Sequence, residues 1–187
     1  MRKIFCQQTH SANVVAININ ESRNLIPNCD GLVTSLKNVS LNIKTADCIP
    51  ISIRDKNKIV VGIIHAGWRG TKKEISIKAV KLITKKFKIS PSDLIIKLGA
   101  SIDKDSFLVR NDVYELFKNK YQEFFEKVSD SQWKMDLKGI NVHQLVSVGV
   151  LLENIKVSQI STFKNKKYPS FRRDGRSKGF VTSVVLK

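Results

Sequence analysis

The chain has 187 residues, of which 42% are hydrophobic, and a formal net charge of +17. This length is enough for one buried core, and no segment rich in proline, glycine or serine divides it, so we expect a single domain over residues 1–187. The apolar runs have only the length of strands, and residues 1–7 turn polar too early for a signal peptide. Three cysteines at irregular spacing do not indicate a disulfide framework, so we expect a cytoplasmic protein with reduced thiols and no membrane partner.

The positive charge is compatible with nucleic-acid binding, because clustered lysine and arginine side chains attract phosphate backbones. Here the lysines are spread over every predicted element, without the interleaved aromatic residues of a single-strand binding surface. This distribution favours a solvated basic surface over a dedicated nucleic-acid face. Such a surface would still attract a substrate that carries phosphate.

The first part of the chain is predicted to form strands. Short apolar runs indicate strands at 14–17 and 31–34. Two longer apolar runs, 48–53 and 59–64, predict a buried hairpin that closes at the turn 54–58.

The rest of the chain mixes helices and strands. Residues 71–74 have the pattern of a capping box, which predicts the start of a helix whose apolar stripe runs from Ile75 to Phe87. The later predicted elements are a strand at 94–98, a helix at 112–128, an edge strand at 135–137, a helix at 141–153, and strands at 157–161 and 180–186. The sequence therefore predicts a mixed α/β protein with substantial sheet content.

Three short blocks each carry one potential metal ligand in a loop-like context: Gln8-Thr9-His10, residues 45–48 with Cys48, and residues 65–70 with His65. They contain two of the three histidines and one of the three cysteines. Imidazole nitrogen and thiolate sulfur together suit zinc, and three protein ligands leave one tetrahedral position for water or substrate. The spacing alone is a weak signal, because no two of these ligands are near neighbours in sequence.

Each candidate ligand also has an ordinary structural interpretation. A free cysteine at the start of an apolar strand is usually a small buried hydrophobe, but Asp47 before Cys48 and Pro50 after it favour a thiolate that points into a cleft. His65 ends an apolar strand and is followed by Ala66-Gly67, which are small enough for a ligand to approach the backbone. The chemistry of the residues alone does not decide whether His10 is a metal ligand or an ordinary structural residue. The remaining histidine and cysteines, His143, Cys6 and Cys29, are interpreted as structural, with Cys6 a substitute ligand for His10.

Two groups of arginines are candidates for binding an anion. Arg69 lies between the His65 strand and the predicted helix start, where backbone N–H groups and a guanidinium form a suitable anion pocket. Arg172 and Arg173 form the second group. We expect one of them to contact substrate or phosphate and the other to brace Asp174, and the sequence does not say which.

Eight motifs follow one another along the chain: Gln8-x-His10, Asp30-Gly31-Leu32-Val33-Thr34, Thr45-Ala46-Asp47-Cys48-x-Pro50, Gly62-x-x-His65-Ala66-Gly67-Trp68-Arg69-Gly70, Leu98-Gly99-x-x-Ile102, Asp136-Leu137, Asn141-x-x-Gln144-Leu145 and Ser170-Phe171-Arg172-Arg173-Asp174-Gly175. In this order they resemble the YfiH-like family, also called polyphenol oxidase, laccase-domain protein or purine nucleoside phosphorylase. Relatives usually carry several tens of residues before the first motif, so we expect a domain that is short at its N-terminus.

The resemblance implies a four-layer α/β/β/α sandwich and a catalytic zinc held by His10, Cys48 and His65. It implies phosphorolysis of adenosine, inosine and methylthioadenosine, with adenosine deamination and phenol oxidation, for which copper would serve, as further activities. Zinc could activate water for attack on C6 of adenine, or stabilise a departing purine while Arg-bound phosphate attacks the sugar. Adjacency suggests that Asp47 orients the Cys48 ligand or accepts a proton.

Two functions of other classes stay open at this point. The first is a metal-free hydrolase that uses Cys48 as the nucleophile and His65 as the base. The second is a module without catalysis that binds nucleic acid or a protein partner through its positive charge. A multicopper laccase in the strict sense is excluded, because three histidines are too few for a blue-copper centre and a trinuclear cluster together.

Overall fold

The computed structural model of the protein describes residues 1–176 and 178–187. Its helices are α1 (Trp68–Lys72), α2 (Ile75–Phe87), α3 (Asn111–Tyr121), α4 (Leu137–Ser147) and α5 (Phe171–Asp174). Its strands are β1 (Arg2–Cys6), β2 (Val14–Ile17), β3 (Leu25–Ile26), β4 (Gly31–Thr34), β5 (Val39–Thr45), β6 (Ile49–Asp55), β7 (Val61–Ala66), β8 (Leu94–Leu98), β9 (Leu108–Arg110), β10 (Phe125–Lys127), β11 (Gln132–Met135), β12 (Ile155–Val157) and β13 (Phe180–Val185). The expected mixed α/β class is confirmed.

The strands form three sheets. A six-stranded sheet has the order β12-β8-β6-β7-β4-β2, a four-stranded sheet the order β13-β5-β1-β3, and a small sheet the order β10-β11-β9. The predicted hairpin is confirmed: β6 and β7 are antiparallel neighbours, and their register pairs Ile49 with Ala66 and Arg54 with Val61. This hairpin forms the centre of the six-stranded sheet.

Strand β7 is buried on both faces, which explains its continuous apolar run. Its residues Val61 and Ile63 belong to the core between the six-stranded and four-stranded sheets. The alternate residues Ile64 and Ala66 belong to the core beneath helix α2. Because successive side chains of a strand point to opposite faces, His65 lies on the same face as Ile63, towards the four-stranded sheet.

The chain crosses between the two large sheets at two places that matter for the site. Residues 7–13 connect β1 of the four-stranded sheet to β2 of the six-stranded sheet, and residues 46–48 connect β5 to β6. Each crossover contains a residue in the left-handed region, His10 with φ 56° and Asp47 with φ 81°. Such conformations are uncommon for residues with a β-carbon and concentrate at functional sites.

The predicted capping box at 71–74 is wrong. Thr71 lies inside α1, where its Oγ1 accepts a hydrogen bond of 2.9 Å from Asn141 Nδ2. Glu74 has a left-handed φ of 61° and makes no side-chain cap for α2. The threonine hydroxyl is used in a buried tertiary contact with α4, so the chain turns between two helices instead of capping one.

Four later elements have boundaries that differ from the prediction. The helix expected at 112–128 ends at Tyr121, because a single 3-10 turn and strand β10 occupy the following residues. The edge strand expected at 135–137 and the helix expected at 141–153 both lie earlier in the chain, as β11 and α4. The reason is that Asp136 caps α4 by accepting a 2.8 Å hydrogen bond from Gly139 N, so the helix begins directly after it. The strand expected at 157–161 is Ile155–Val157. None of the helices formed by the described residues has the length and apolar character needed to cross a membrane.

Candidate metal centre and substrate cavity

The structure brings His10, Cys48 and His65 together. One potential ligand atom from each side chain lies within 4.8 Å of the other two. His10 and Cys48 come from the two neighbouring crossovers, and His65 comes from the end of β7. The two imidazole rings meet edge to face, with their centroids 4.9 Å apart.

Gly67 makes this convergence possible, because it leaves space where a side chain would stand. A β-carbon at this position would lie 2.8 Å from Cys48 Sγ and 3.4 Å from His10 Cδ2. The first distance is shorter than any comfortable contact between carbon and sulfur. Only glycine lets the sulfur and the imidazole share this corner.

Asp30 stands directly opposite His65 in the six-stranded sheet. Strands β4 and β7 are antiparallel with Gly31 paired to Ile64, so Asp30 and His65 extend the same register, and His65 N donates to Asp30 O at 2.7 Å. Both side chains therefore share the face towards the four-stranded sheet. Asp30 Oδ1 lies 2.8 Å from His65 Nδ1. Because Nδ1 is engaged, Nε2 is the ring nitrogen left for a metal ion.

The same carboxylate also holds the loop that carries His10. Asp30 is fully buried and accepts backbone hydrogen bonds from Thr9 N at 3.1 Å, His10 N at 3.1 Å and Ser11 N at 2.7 Å. Ser11 Oγ donates a further hydrogen bond of 2.7 Å. One carboxylate thus fixes both histidines of the cluster. No role was predicted for Asp30 from the sequence, where its only signal is the motif that begins with this residue.

The electrostatics of the cluster favour a charged Cys48–His65 pair. Burial alone would raise the pKa of Asp30, but hydrogen bonds from His65 and Ser11 hold it well below its usual range. Burial likewise raises the pKa of Cys48, and hydrogen bonds with His10 and His65 outweigh it and lower that pKa to about 7. Burial lowers the pKa of His65, yet the Asp30 and Cys48 contacts raise it to about 9. The thiolate, which is the form that binds metals, is therefore accessible at neutral pH.

The cluster opens into a cavity of about 520 Å³. Its wall combines charged, apolar and polar side chains: the cationic Lys44, Arg69, Arg172 and Lys178, the acidic Asp47, the apolar Ile102, Phe107, Leu137, Phe171 and Trp68, and the polar Gln8 and Thr45. The Arg69 guanidinium lies 4.2 Å from the centre of the Trp68 ring. The Arg172 guanidinium lies 5.3 Å from the Phe107 ring and donates from Nη1 to Leu108 O at 2.8 Å. Arg69 and Arg172 therefore both line the cavity. Their binding of an anion stays a prediction.

Arg173 does not reach this cavity. Its Nε donates to Asp174 Oδ1 at 2.7 Å, and its Nη1 donates to the carbonyls of Thr162 and Phe163 at 2.8 and 3.0 Å. Its Nη2 donates to Tyr168 O at 2.9 Å. These bonds are inconsistent with the predicted substrate contact of Arg173. Of the two neighbouring arginines, Arg173 is the one that braces Asp174.

Asp47 contacts a different part of the site from the one that adjacency suggested. Its carboxylate accepts hydrogen bonds from Thr162 Oγ1 at 2.6 Å, Ser170 Oγ at 3.0 Å and Arg172 N at 2.7 Å. Within the part of the chain that the structure describes, no hydrogen bond joins this carboxylate to Cys48. Asp47 thus ties the Cys48 crossover to the start of α5.

The other soft side chains lie away from the cavity. His143 is exposed on α4 and packs edge to face against the rings of Tyr121 and Phe124, at 5.8 and 5.6 Å. Cys6 and Cys29 are buried in the core between the two large sheets. Cys6 is therefore not part of the cluster of His10, Cys48 and His65, for which it was considered as a substitute ligand.

Comparison with known proteins decides the family. A family model described as "Multi-copper polyphenol oxidoreductase laccase" matches residues 1–187. The chain belongs to this laccase family. The resemblance to YfiH-like proteins is thereby confirmed.

Named relatives and solved structures refine this assignment. The laccase-family chain is 31% identical to "Purine nucleoside phosphorylase YlmD" of Bacillus subtilis, over 97% of this chain and 69% of that protein. It is also 31% identical to "Adenosine deaminase RL5" of an unknown prokaryotic organism, over 97% of this chain and 73% of that protein. The crystal structure of YlmD from Geobacillus stearothermophilus matches with a TM-score of 0.94 at 28% identity, covering all of this chain and 74% of that chain. A hypothetical protein YfiH of Bacillus licheniformis matches with a TM-score of 0.93 at 26% identity, again over all of this chain and 74% of that one.

The donor set of this laccase-family chain fits a metal ion. Two imidazoles and one thiolate are ligands for zinc and copper, and a tetrahedral site of this kind has ligand atoms about 3.3 to 3.8 Å apart. The three candidate ligand atoms already lie within 4.8 Å of one another. His10 is exposed, so one side of the cluster faces the cavity. These side chains can hold an ion and leave one position open to a substrate.

Proposed function

We propose that this chain catalyses the phosphorolysis of purine nucleosides, with adenosine, inosine and methylthioadenosine as substrates, at a zinc ion held by His10, Cys48 and His65. The observation that carries the proposal is the convergence of these three ligands beside a cavity with cationic side chains in its wall. The relatives named purine nucleoside phosphorylase support it.

The proposed chemistry divides between the metal position and the arginines. When bound, zinc would supply a Lewis acid that stabilises negative charge on the departing purine. Arg69 and Arg172 would bind phosphate and hold one of its oxygens against C1′ of the sugar. That oxygen forms the new bond to C1′ as the glycosidic bond breaks, and the base leaves with the electron pair and takes up a proton. The products are the free base and the 1-phosphate of the sugar, which is ribose 1-phosphate for adenosine and inosine and 5-methylthioribose 1-phosphate for methylthioadenosine.

Incubation with inosine and phosphate tests the proposal. We expect hypoxanthine and ribose 1-phosphate in equal amounts, and no release by the Cys48→Ala or His10→Ala variants. His143→Ala is the matched control, because it changes the third histidine of the chain, which lies outside the cavity, and it should leave the rate unchanged. Release of hypoxanthine at the same rate without phosphate would identify a hydrolase instead.

Adenosine deamination is a second candidate, favoured by the relative named adenosine deaminase. Deamination replaces the amino group at C6 of the base with an oxygen from water and releases ammonia, and it needs no phosphate. Adenosine supplied without phosphate should then yield inosine and ammonia. Free adenine that appears only with phosphate would assign the site to phosphorolysis alone.

Metal analysis of the purified protein separates the remaining alternatives. We expect one zinc per chain, lost in the Cys48→Ala variant together with activity. Copper in that position would favour the phenol oxidase activity. Activity that survives chelators would favour a metal-free hydrolase with Cys48 as the nucleophile and His65 as the base. Salt-sensitive nucleic-acid binding that is indifferent to Cys48→Ala would favour a binding module.

A further inference from the structure

Phe171 is unusual among the aromatic residues of this chain. Its exposed fraction is 61%, and it forms part of the wall of the metal-site cavity. The other eight phenylalanines, all within the described residues, are buried or half-buried. A large apolar ring left open at a cavity is the kind of surface that binds a ligand.

The exposure of Phe171 does not come from a loosely held segment. The residue before it, Ser170, donates from Oγ to Asp47 Oδ2 at 3.0 Å, and the residue after it, Arg172, donates from its backbone N to the same oxygen at 2.7 Å. Ser170 Oγ also accepts a 3.2 Å hydrogen bond from Arg173 N, which caps the helical turn. Both neighbours of the ring are thus fixed to one buried carboxylate.

Arg173 holds the same turn from the other side through the carbonyls of Thr162, Phe163 and Tyr168. The backbone of 170–174 is therefore ordered before any ligand arrives. A ring presented in this way loses little conformational freedom on binding, and such preorganisation increases affinity.

The chemistry of the wall indicates which part of a ligand the ring contacts. The guanidinium groups of Arg69 and Arg172 suit the anionic phosphate, and the cluster of His10, Cys48 and His65 suits an ion. Neither provides a flat apolar surface for a heteroaromatic base. Three aromatic side chains line the wall, and Phe171 is the exposed one. Trp68 is half-buried and Phe107 is buried, and the guanidinium groups of Arg69 and Arg172 lie over these two rings.

We propose that Phe171 is the stacking surface for the purine base and determines the preference of the site for heteroaromatic substrates. This inference rests on the proposed function, since it assigns the base of the nucleoside to this part of the cavity. Stacking of one base on an aromatic side chain changes affinity by about 5- to 150-fold. The contribution should depend on the presence of a ring rather than on its exact identity.

The experiment compares Phe171→Ala with Phe171→Tyr and Phe171→Trp in the metal-loaded protein. We expect Phe171→Ala to raise the KM for inosine and the Kd for adenosine by about 5- to 150-fold. The KM for phosphate and the bound metal should not change. The two aromatic variants should restore the affinity. Leu152→Ala is the matched control, because Leu152 is 63% exposed and lies outside the cavity, so its removal should change none of these values.

The calorimetric Kd for adenosine keeps this inference separate from the proposed function. If the wild type binds adenosine but turns over no nucleoside, the phosphorylase proposal fails, and a weaker Kd in Phe171→Ala still supports stacking. An unchanged Kd and KM in Phe171→Ala would overturn the stacking role. So would a change only in oligomeric state, since Phe171 would then contact a second copy of the chain. Absence of any binding of adenosine to the wild type would overturn it as well.

Discussion

Asp30 and His65 face each other across the antiparallel strands β4 and β7, and a distance of 2.8 Å joins Asp30 Oδ1 to His65 Nδ1. The partner strand therefore determines which imidazole nitrogen is free to bind an ion. The same carboxylate receives the backbone N–H groups of the His10 loop. Removal of a carboxylate that orients a histidine ligand in this way commonly weakens metal binding by about 10- to 100-fold.

The first prediction concerns this carboxylate. Asp30→Asn should weaken zinc binding by about 10- to 100-fold. The neutral amide replaces the negative charge that orients the His65 ring and accepts the N–H groups of the His10 loop. Competition with a chromophoric chelator measures the affinity. Asp55→Asn is the matched control: Asp55 is equally buried and accepts three backbone N–H bonds in the turn after β6, away from the cavity. An equal loss of zinc affinity in both variants would mean that general destabilisation is the cause.

The second prediction concerns the reactivity of Cys48. In metal-free protein the thiol pKa is lowered to about 7, so alkylation by iodoacetamide should reach half its maximal rate near pH 7 and slow as pH falls below it. Bound zinc should protect the thiolate throughout the pH range in which the ligands hold the ion. Peptide mass spectrometry locates the label, and the buried Cys6 and Cys29 serve as internal controls. A metal-free hydrolase would show the same alkylation rate before and after zinc is added.

The third prediction concerns the anion pocket. Arg69→Ala should raise the KM for phosphate by about 10- to 100-fold, because a charge-assisted hydrogen bond is lost, while bound zinc stays constant. Initial rates at varied phosphate and parallel metal analysis provide the two measurements. Arg110→Ala is the control, since Arg110 is exposed and not part of the cavity wall. Loss of zinc from Arg69→Ala would make Arg69 a part of the scaffold.

The fourth prediction separates the two buried carboxylates of the site. Asp47→Asn should raise the KM for nucleoside and lower the free energy of unfolding by about 1–3 kcal/mol, because buried donors of the α5 segment lose an ionised acceptor. Zinc affinity should stay within twofold of the wild type. Thr162→Val removes only one of the donors and should shift KM in the same direction by less. If Asp47→Asn lost zinc but kept its KM for nucleoside, Asp47 would instead act by orienting the Cys48 metal ligand.

Several features could be predicted because their signals are local. Strand β7 is buried on both faces and its hairpin partner β6 alternates apolar residues on one face, and the three ligand blocks stand out in a chain with few histidines and cysteines. Strand β5 was not predicted, although Val39, Leu41 and Ile43 alternate with polar residues in the pattern expected of a strand. The helix predicted over 112–128 was too long, because Phe124 and Phe125 continue an apolar pattern that the fold uses in a turn and a strand.

The roles of the two buried carboxylates could not be predicted, because they depend on tertiary register. Asp30 meets His65 only because β4 and β7 pair with Gly31 opposite Ile64. Asp47 meets Thr162 and Ser170 across separations of 115 and 123 residues. Because Asp47 is next to Cys48 in sequence, we predicted that it acts on the Cys48 ligand. In the structure Asp47 has a left-handed backbone conformation, and its carboxylate accepts a hydrogen bond from Arg172 N in α5 instead.

The position of the ligands in the two crossovers connects metal supply to the lifetime of the protein. An ion held by His10, Cys48 and His65 would join the crossovers that carry His10 and Cys48 to the central strand β7, and an unfolded chain cannot assemble such a site. By mass action, free zinc at a thousandfold excess over its Kd would add about 4 kcal/mol to the free energy of unfolding. Chains made during zinc limitation would therefore populate the unfolded state more often and be degraded faster.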